Sequence, residues 1–182
     1  MKYKKTITLK CGRECTIENC TEDKAKEVLG LFIKTHAESD FMLSYPDEIS
    51  FTEADEAEYL KEKTESENEI EIMALLDGKV VGTAGIDSIG KAEKTKHRAE
   101  FGIAVLKEFW GLGIGRALTS AIIEIAKQAG YSELDLNVVA ENTAAIRLYQ
   151  SAGFKEYGRN PKGFKSRLSG YQELILMRLD LE

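Results

Sequence analysis

Apolar and polar positions along the chain follow two rhythms. Thr6-Ile7-Thr8-Leu9 and Thr16-Ile17 alternate on either side of Gly12-Arg13, a period-two pattern that predicts an N-terminal hairpin over about residues 5–19. Behind Thr21, Glu22 and Asp23, the residues Val28, Leu29, Phe32, Ile33 and His36 recur at helical spacing, which predicts a helix over about 22–36 with Thr21 as its N-cap. Residues 37–51 carry aromatics without a period and read as a structured loop. Thr52 then caps an acidic helix to about Lys63, whose charged face is expected to be solvated. Ile70–Leu76 and Val80–Ile86 flank Asp77-Gly78, a strong hairpin signal, and a further strand runs from about Arg98 to Leu106. A helix over about 113–129 shows Ile114, Leu118, Ala121, Ile122 and Ile125 on one face. Leu134–Val139 reads as a strand, and the next helix opens at Asn142 and stops at Gly153. Phe154–Tyr157 and Tyr171–Leu181 close the chain as strands, with a basic loop between them.

The order β-β-α-α-β-β-β-α-β-α-β-β predicts an α+β (α/β) architecture in which one mixed, mostly antiparallel sheet is flanked by helices. Strands and helices do not alternate from the start, so a doubly wound fold is not expected. At 182 residues the whole of 1–182 reads as one domain, able to bury roughly 70% of its unfolded surface. The net charge is 25 − 31 = −6, which weakens any general role in binding nucleic acid. Two basic groups, Lys91, Lys94, Lys96, Arg98 and Arg159, Lys162, Lys165, Arg167, read as solvated loop charges. No apolar run is long enough to span a membrane, and the basic start lacks the apolar stretch of a signal peptide, so a cytoplasmic protein is expected. Cys11, Cys15 and Cys20 lack the spacing of a disulfide framework or a zinc site and read as buried strand thiols. No metal is expected.

The most informative stretch joins the strand Phe101–Leu106 to Trp110-Gly111-Leu112-Gly113-Ile114-Gly115-Arg116 and a helix. Alternating glycines let backbone approach a ligand closely, and the unpaired N–H groups of a helix start favour an anion, with a phosphate or pyrophosphate as the natural guest. Three readings compete. A dinucleotide fingerprint fails because Arg116 stands where the last glycine should be and the loop follows an antiparallel region. Gly85-Ile-Asp-Ser-Ile-Gly90-Lys91 has P-loop spacing, but Ala92 replaces the magnesium-binding hydroxyl and no apolar helix follows.

The third reading adds Asn142-Thr-Ala-Ala145-Ile-Arg-Leu148-Tyr149-Gln-Ser-Ala-Gly153-Phe154. Together with Gly111–Gly115, and in this order, it resembles the GNAT superfamily of acyl-CoA-dependent N-acyltransferases over about residues 98–154. Trp110 departs from the family's Arg or Gln at that position. The resemblance implies a GNAT-like sheet, splayed at an acyl-CoA cleft, and a cofactor held by Ile103, Ala104 and Val105 on the strand. It also implies amides of Gly111, Leu112, Gly113, Ile114 and Gly115, with Arg116, Asn142 and Tyr149 contributing. By the same resemblance an amide near Val105 stabilises the oxyanion, and Tyr149 protonates the leaving thiolate unless it is simply core.

The implied activity is transfer of acetyl from acetyl-CoA to a primary amine of a small molecule or a protein. The alternative is an idle acyl-CoA-binding or regulatory module. Deprotonating a lysine-like amine near pH 7 costs roughly 4.6 kcal/mol and an α-amine only about 1 kcal/mol, so the need for a base depends on the acceptor. Glu100 is the candidate base, or else an ion-pair partner of Arg98. Phe41 and Tyr45 are candidate acceptor contacts, while His36 and His97 read as structural. A homodimer is in keeping with the family.

Overall fold

The structure, a computed structural model, describes all 182 residues. Its strands are β1 (Lys4–Thr8), β2 (Glu14–Asn19), β3 (Ile70–Leu76), β4 (Lys79–Ser88), β5 (Arg98–Val105), β6 (Glu133–Val139), β7 (Lys155–Ser166) and β8 (Gly170–Asp180). Its helices are α1 (Ala25–Glu38), α2 (Glu53–Glu65), α3 (Ile114–Gln128) and α4 (Thr143–Ser151). The order of elements along the chain is the one the hydrophobic pattern predicts. The eight strands form one sheet in the order β1-β2-β3-β4-β5-β6-β8-β7. Every pairing is antiparallel except β5 with β6.

Side-chain alternation divides the sheet between two apolar layers. Ile70 and Ile72 of β3 and Ala84 and Ile86 of β4 join Ile114, Leu118, Ile122 and Ile125 of α3 on one face. Met73 and Val80 join Val28 and Leu31 of α1 and Leu60 of α2 on the other. Each fully buried aliphatic side chain among them contributes roughly 1.5–3 kcal/mol of transfer free energy, so these layers hold the helices in place. Glu71, between Ile70 and Ile72, therefore points to the α1/α2 side.

Several local expectations are corrected. Thr21 does not cap α1: Glu22–Lys24 form a 3-10 turn, the Thr21 hydroxyl donates to Asp23 (2.5 Å), and the helix begins at Ala25. Thr52 does cap α2, accepting from the Asp55 amide (3.2 Å) in a capping box. The acidic stretch is not uniformly solvated, since Glu56 and Lys63 are buried. The basic loop is mostly strand: β7 runs to Ser166, with register breaks near Gly158 and Asn160 that accommodate Pro161 on an edge strand. There Arg159 pairs with Glu156 and Glu173, and Lys162 and Lys165 sit over the Tyr171 ring. Cys15 and Cys20 are buried as expected, but Cys11 is exposed. Arg98 is not a free loop charge, because it joins Arg178 around the buried Asp135. No helix is long and apolar enough to cross a membrane.

Candidate active site

The site begins where the sheet opens. β5 pairs with β4 along its whole length, but with β6 only through Arg98–Glu133, Ala99–Leu134 and Glu100–Asp135. Beyond Glu100 the two strands part. Asp135 pins them just before the fork: Arg178 Nε lies 2.6 Å from its Oδ1, and Arg98 bonds the other oxygen. Burial alone would raise the Asp135 pKa, but hydrogen bonds from both guanidinium groups outweigh it and hold the carboxyl below its usual range.

The parted edge of β5 carries free backbone. Leu106 N–H donates back to Val81 O on β4 (3.0 Å), so strand alternation turns the backbone groups of Ile103 and Val105 toward the opening. Those of Ala104 face β4, and its side chain is what borders the cleft. Trp110, about half exposed, donates its indole N–H to Val105 O (2.7 Å). The indole thus fastens the glycine loop to the strand edge and leaves the Val105 N–H open.

The loop itself fits an anion. Gly111 and Gly113 have φ of 79° and 96°, and a Cβ on either would stand in open space. Gly113 is the N-cap of α3, and the first amide past the loop to find a backbone acceptor is that of Ala117, on Gly113 O (3.0 Å). The amides from Gly111 through Arg116 donate to nothing in the chain, which is the arrangement that receives a phosphate. Gly115 has a different cause: a Cβ there would lie 3.3 Å from Leu148 Cδ2, so it permits close approach of α3 and α4.

These elements surround a cleft of about 510 Å³ lined by Glu100, Ile103, Ala104, Val105, Gly111, Gly113, Ile114, Gly115, Asn142 and Tyr149, with Phe41 at its rim. Leu112 packs on the core and the Arg116 side chain is exposed, so both reach the cleft only as backbone. Asn142 Oδ1 accepts from Ala145 N (3.2 Å) and caps α4 while facing the cleft. Tyr149 is 8% exposed, edge-on to Phe101 at 6.0 Å and tilted on Phe154 at 5.9 Å. Burial pushes its phenol well above the ordinary value, so it stays protonated and can donate.

On the α1/α2 side lies a second cavity of about 490 Å³. Its apolar wall includes Val28, Leu29, Phe32 and Met42, and its polar floor includes Glu56, Glu71, Thr83 and Asp87. The two cavities share Gly102, Ile103 and Ala104 of β5, together with Met42 and Leu43. His36 borders the second cavity with Nδ1 on Phe32 O (2.7 Å), and burial lowers its pKa.

Tyr45 lies outside both cavities. Its hydroxyl donates toward Asp40 (3.2 Å) and accepts from the Arg167 amide (2.7 Å), tying the 39–51 loop to the β7–β8 turn. Glu100 is exposed and accepts from Asn137 Nδ2 (3.1 Å), not from Arg98. Glu71 was missed, because an acid between two isoleucines reads as a solvent-facing strand position.

The sheet thus forks beside a glycine-capped helix, and a second cavity on the α1/α2 side shares the same stretch of β5. The chain belongs to the acetyltransferase (GNAT) family, whose sequence model matches residues 34–154. It is 36% identical over 81 residues to the [Ribosomal protein bS18]-alanine N-acetyltransferase of Escherichia coli K12, covering 44% of this chain and 54% of that one. The matched stretch spans between 37% and 61% of the length of these curated relatives. The acetyltransferase of GNAT family from Streptococcus pneumoniae superposes with a TM-score of 0.87 at 27% identity, over 91% of this chain and 99% of that one. The fold is also that of yncA from Salmonella typhimurium, solved with its cofactor acetyl-CoA (TM-score 0.82, 18% identity, 92% and 94% covered).

Proposed function

We propose that residues 1–182 act as one N-acetyltransferase domain that transfers acetyl from acetyl-CoA to a primary amine. The observation that carries this reading is the meeting of two cavities at Gly102–Ala104, one beside unpaired amides suited to a diphosphate, the other apolar with an acidic floor suited to an amine. The ribosomal-protein-alanine acetyltransferase relationship supports an amine acceptor. The unpaired cysteines fit a reducing compartment, and we assign the chain to the cytoplasm.

Acetyl-CoA supplies an activated acyl thioester. The amides of Gly111–Arg116 receive its diphosphate, each helix-end contact contributing roughly 0.3–2 kcal/mol. Ile103 and Val105 offer backbone groups to its amide-bearing arm as an added strand would. The open Val105 N–H is placed to take up negative charge developing on a carbonyl oxygen. The Tyr149 hydroxyl, on the cleft wall and unpaired within the chain, donates a hydrogen bond to the departing sulfur.

Free thiol release from acetyl-CoA, measured over a panel of small amines, amino acids and peptide N-termini, tests the reading. At least one amine should accelerate release well above hydrolysis; binding without acceleration by any amine would refute it. Tyr149→Phe should slow turnover about 10²-fold with little change in acetyl-CoA affinity, measured by steady-state kinetics. Unchanged turnover would make the tyrosine a packing residue.

A further inference from the structure

Across β3, β4 and β5 one cross-strand row reads Glu71, Gly85, Gly102. Two adjacent glycines in a row facing a helix layer leave a trough, and the Glu71 side chain lies in it. A Cβ on Gly85 would collide with Glu71 Oε2 and lie 3.2 Å from its Cδ. Gly102, whose Cβ position is open, comes next in the row. With strands spaced about 4.8 Å apart, a carboxylate seated over Gly85 is roughly one strand from Gly102, at the junction of the two cavities.

We propose that Glu71 is the residue that takes the proton from the attacking amine, in place of Glu100. This rests on the acetyltransferase reading above. As the new C–N bond forms and the C–S bond breaks, the electron pair leaves on sulfur and the nitrogen's proton passes to Glu71, directly or through one water. Glu71 suits the task by position and by environment. It lines the amine-side cavity, whereas Glu100 is exposed, lines the cofactor cleft and is held by Asn137. Burial, then the charge of Asp87, raises its pKa to about 8, with Thr83 and Lys63 opposing and Glu56 adding to the rise. Tyr59 of α2, Glu48 of the 39–51 loop and His36 of α1, whose pKa burial lowers, complete the titratable groups around that cavity. A base with a pKa near the working pH is the efficient kind.

The test uses the full chain and the best acceptor from the amine panel. In Glu71→Gln, kcat/KM for the amine should fall by about 10²-fold or more at high pH while the dissociation constant for acetyl-CoA stays within about twofold. The ratio of wild-type to variant profiles cancels the amine's own titration. It should rise about tenfold per pH unit and level above pH 8, because only ionised Glu71 accepts a proton. Gly85→Ala, which evicts the carboxylate from its trough, should behave the same way, and the pH-dependent limb should persist in Glu100→Gln. A ratio that is flat with pH, a parallel loss of acetyl-CoA affinity, or a limb that disappears in Glu100→Gln would overturn the assignment. Failure of the wild type to bind acetyl-CoA or release thiol would instead overturn the underlying acetyltransferase reading.

Discussion

Gly113→Val should raise the dissociation constant for acetyl-CoA at least 100-fold while leaving a folded protein. The expected loss has two sources. Gly113 has a φ of 96°, where an L residue is strained by roughly 1–2 kcal/mol and a β-branched one by more. Gly113 also lines the cleft and the space where its Cβ would stand is open, so an isopropyl group there takes up room that the diphosphate needs. Hydrogen bonds to a charged group contribute about 1.5–3 kcal/mol each, and losing two of them already exceeds the roughly 2.7 kcal/mol that 100-fold represents. Isothermal titration with acetyl-CoA measures the change. A melting temperature within several degrees of wild type separates a lost site from a lost fold. An unchanged dissociation constant would mean that the loop holds nothing.

Asp135→Ala should be the most destabilising single substitution near the site. Asp135 is 6% exposed and neutralises Arg98 and Arg178 together, so its removal leaves two guanidinium groups partly buried beside Glu133 alone. Breaking a buried pair in this way costs about 3–5 kcal/mol, or a melting temperature lowered by about 10 °C in a chain of this size. The pH dependence follows from the depressed folded-state pKa. The contribution is complete above the unfolded carboxyl value near 4 and is lost as pH falls through the lower folded value. The difference between wild type and variant in thermal melts should therefore be full at pH 7 and shrink on acidification below about pH 4. A difference of less than 1 kcal/mol at pH 7 would show that the fork is pinned by other contacts.

The fold was legible because its two rhythms were clean. The alternation of Ile70 through Leu76, the Asp77-Gly78 turn and the α3 stripe all reflect burial that local sequence determines directly. The glycine loop and the start of α4 were legible for a related reason: positive-φ glycines and a capping Asn142 are written as residue types. What could not be read was long-range register. The turn alone sets Leu76 opposite Lys79 and Leu75 opposite Val80, which extrapolates to Glu71 opposite Ala84. An irregularity at Ala74/Leu75 advances β4 by one residue and brings Gly85 under Glu71 instead. The same limit explains Tyr45, whose aromatic ring suggested a pocket wall. Its partners, Asp40, Ser166 and Arg167, include two more than a hundred residues away, and Arg167 stacks on the ring 4.2 Å from its centre. Thr21 failed as a cap because a 3-10 turn, indistinguishable in composition from a first helical turn, intervenes.

The central claim is that unpaired backbone amides at the start of α3 hold the diphosphate of acetyl-CoA. Amide-resolved NMR of the labelled protein during titration with acetyl-CoA tests it most directly. The amides from Gly111 through Arg116 should show the largest shifts, with Ile103 and Val105 following, and all should saturate at one dissociation constant. Saturable binding that leaves Gly111–Arg116 unmoved, or no binding at millimolar acetyl-CoA, would contradict it.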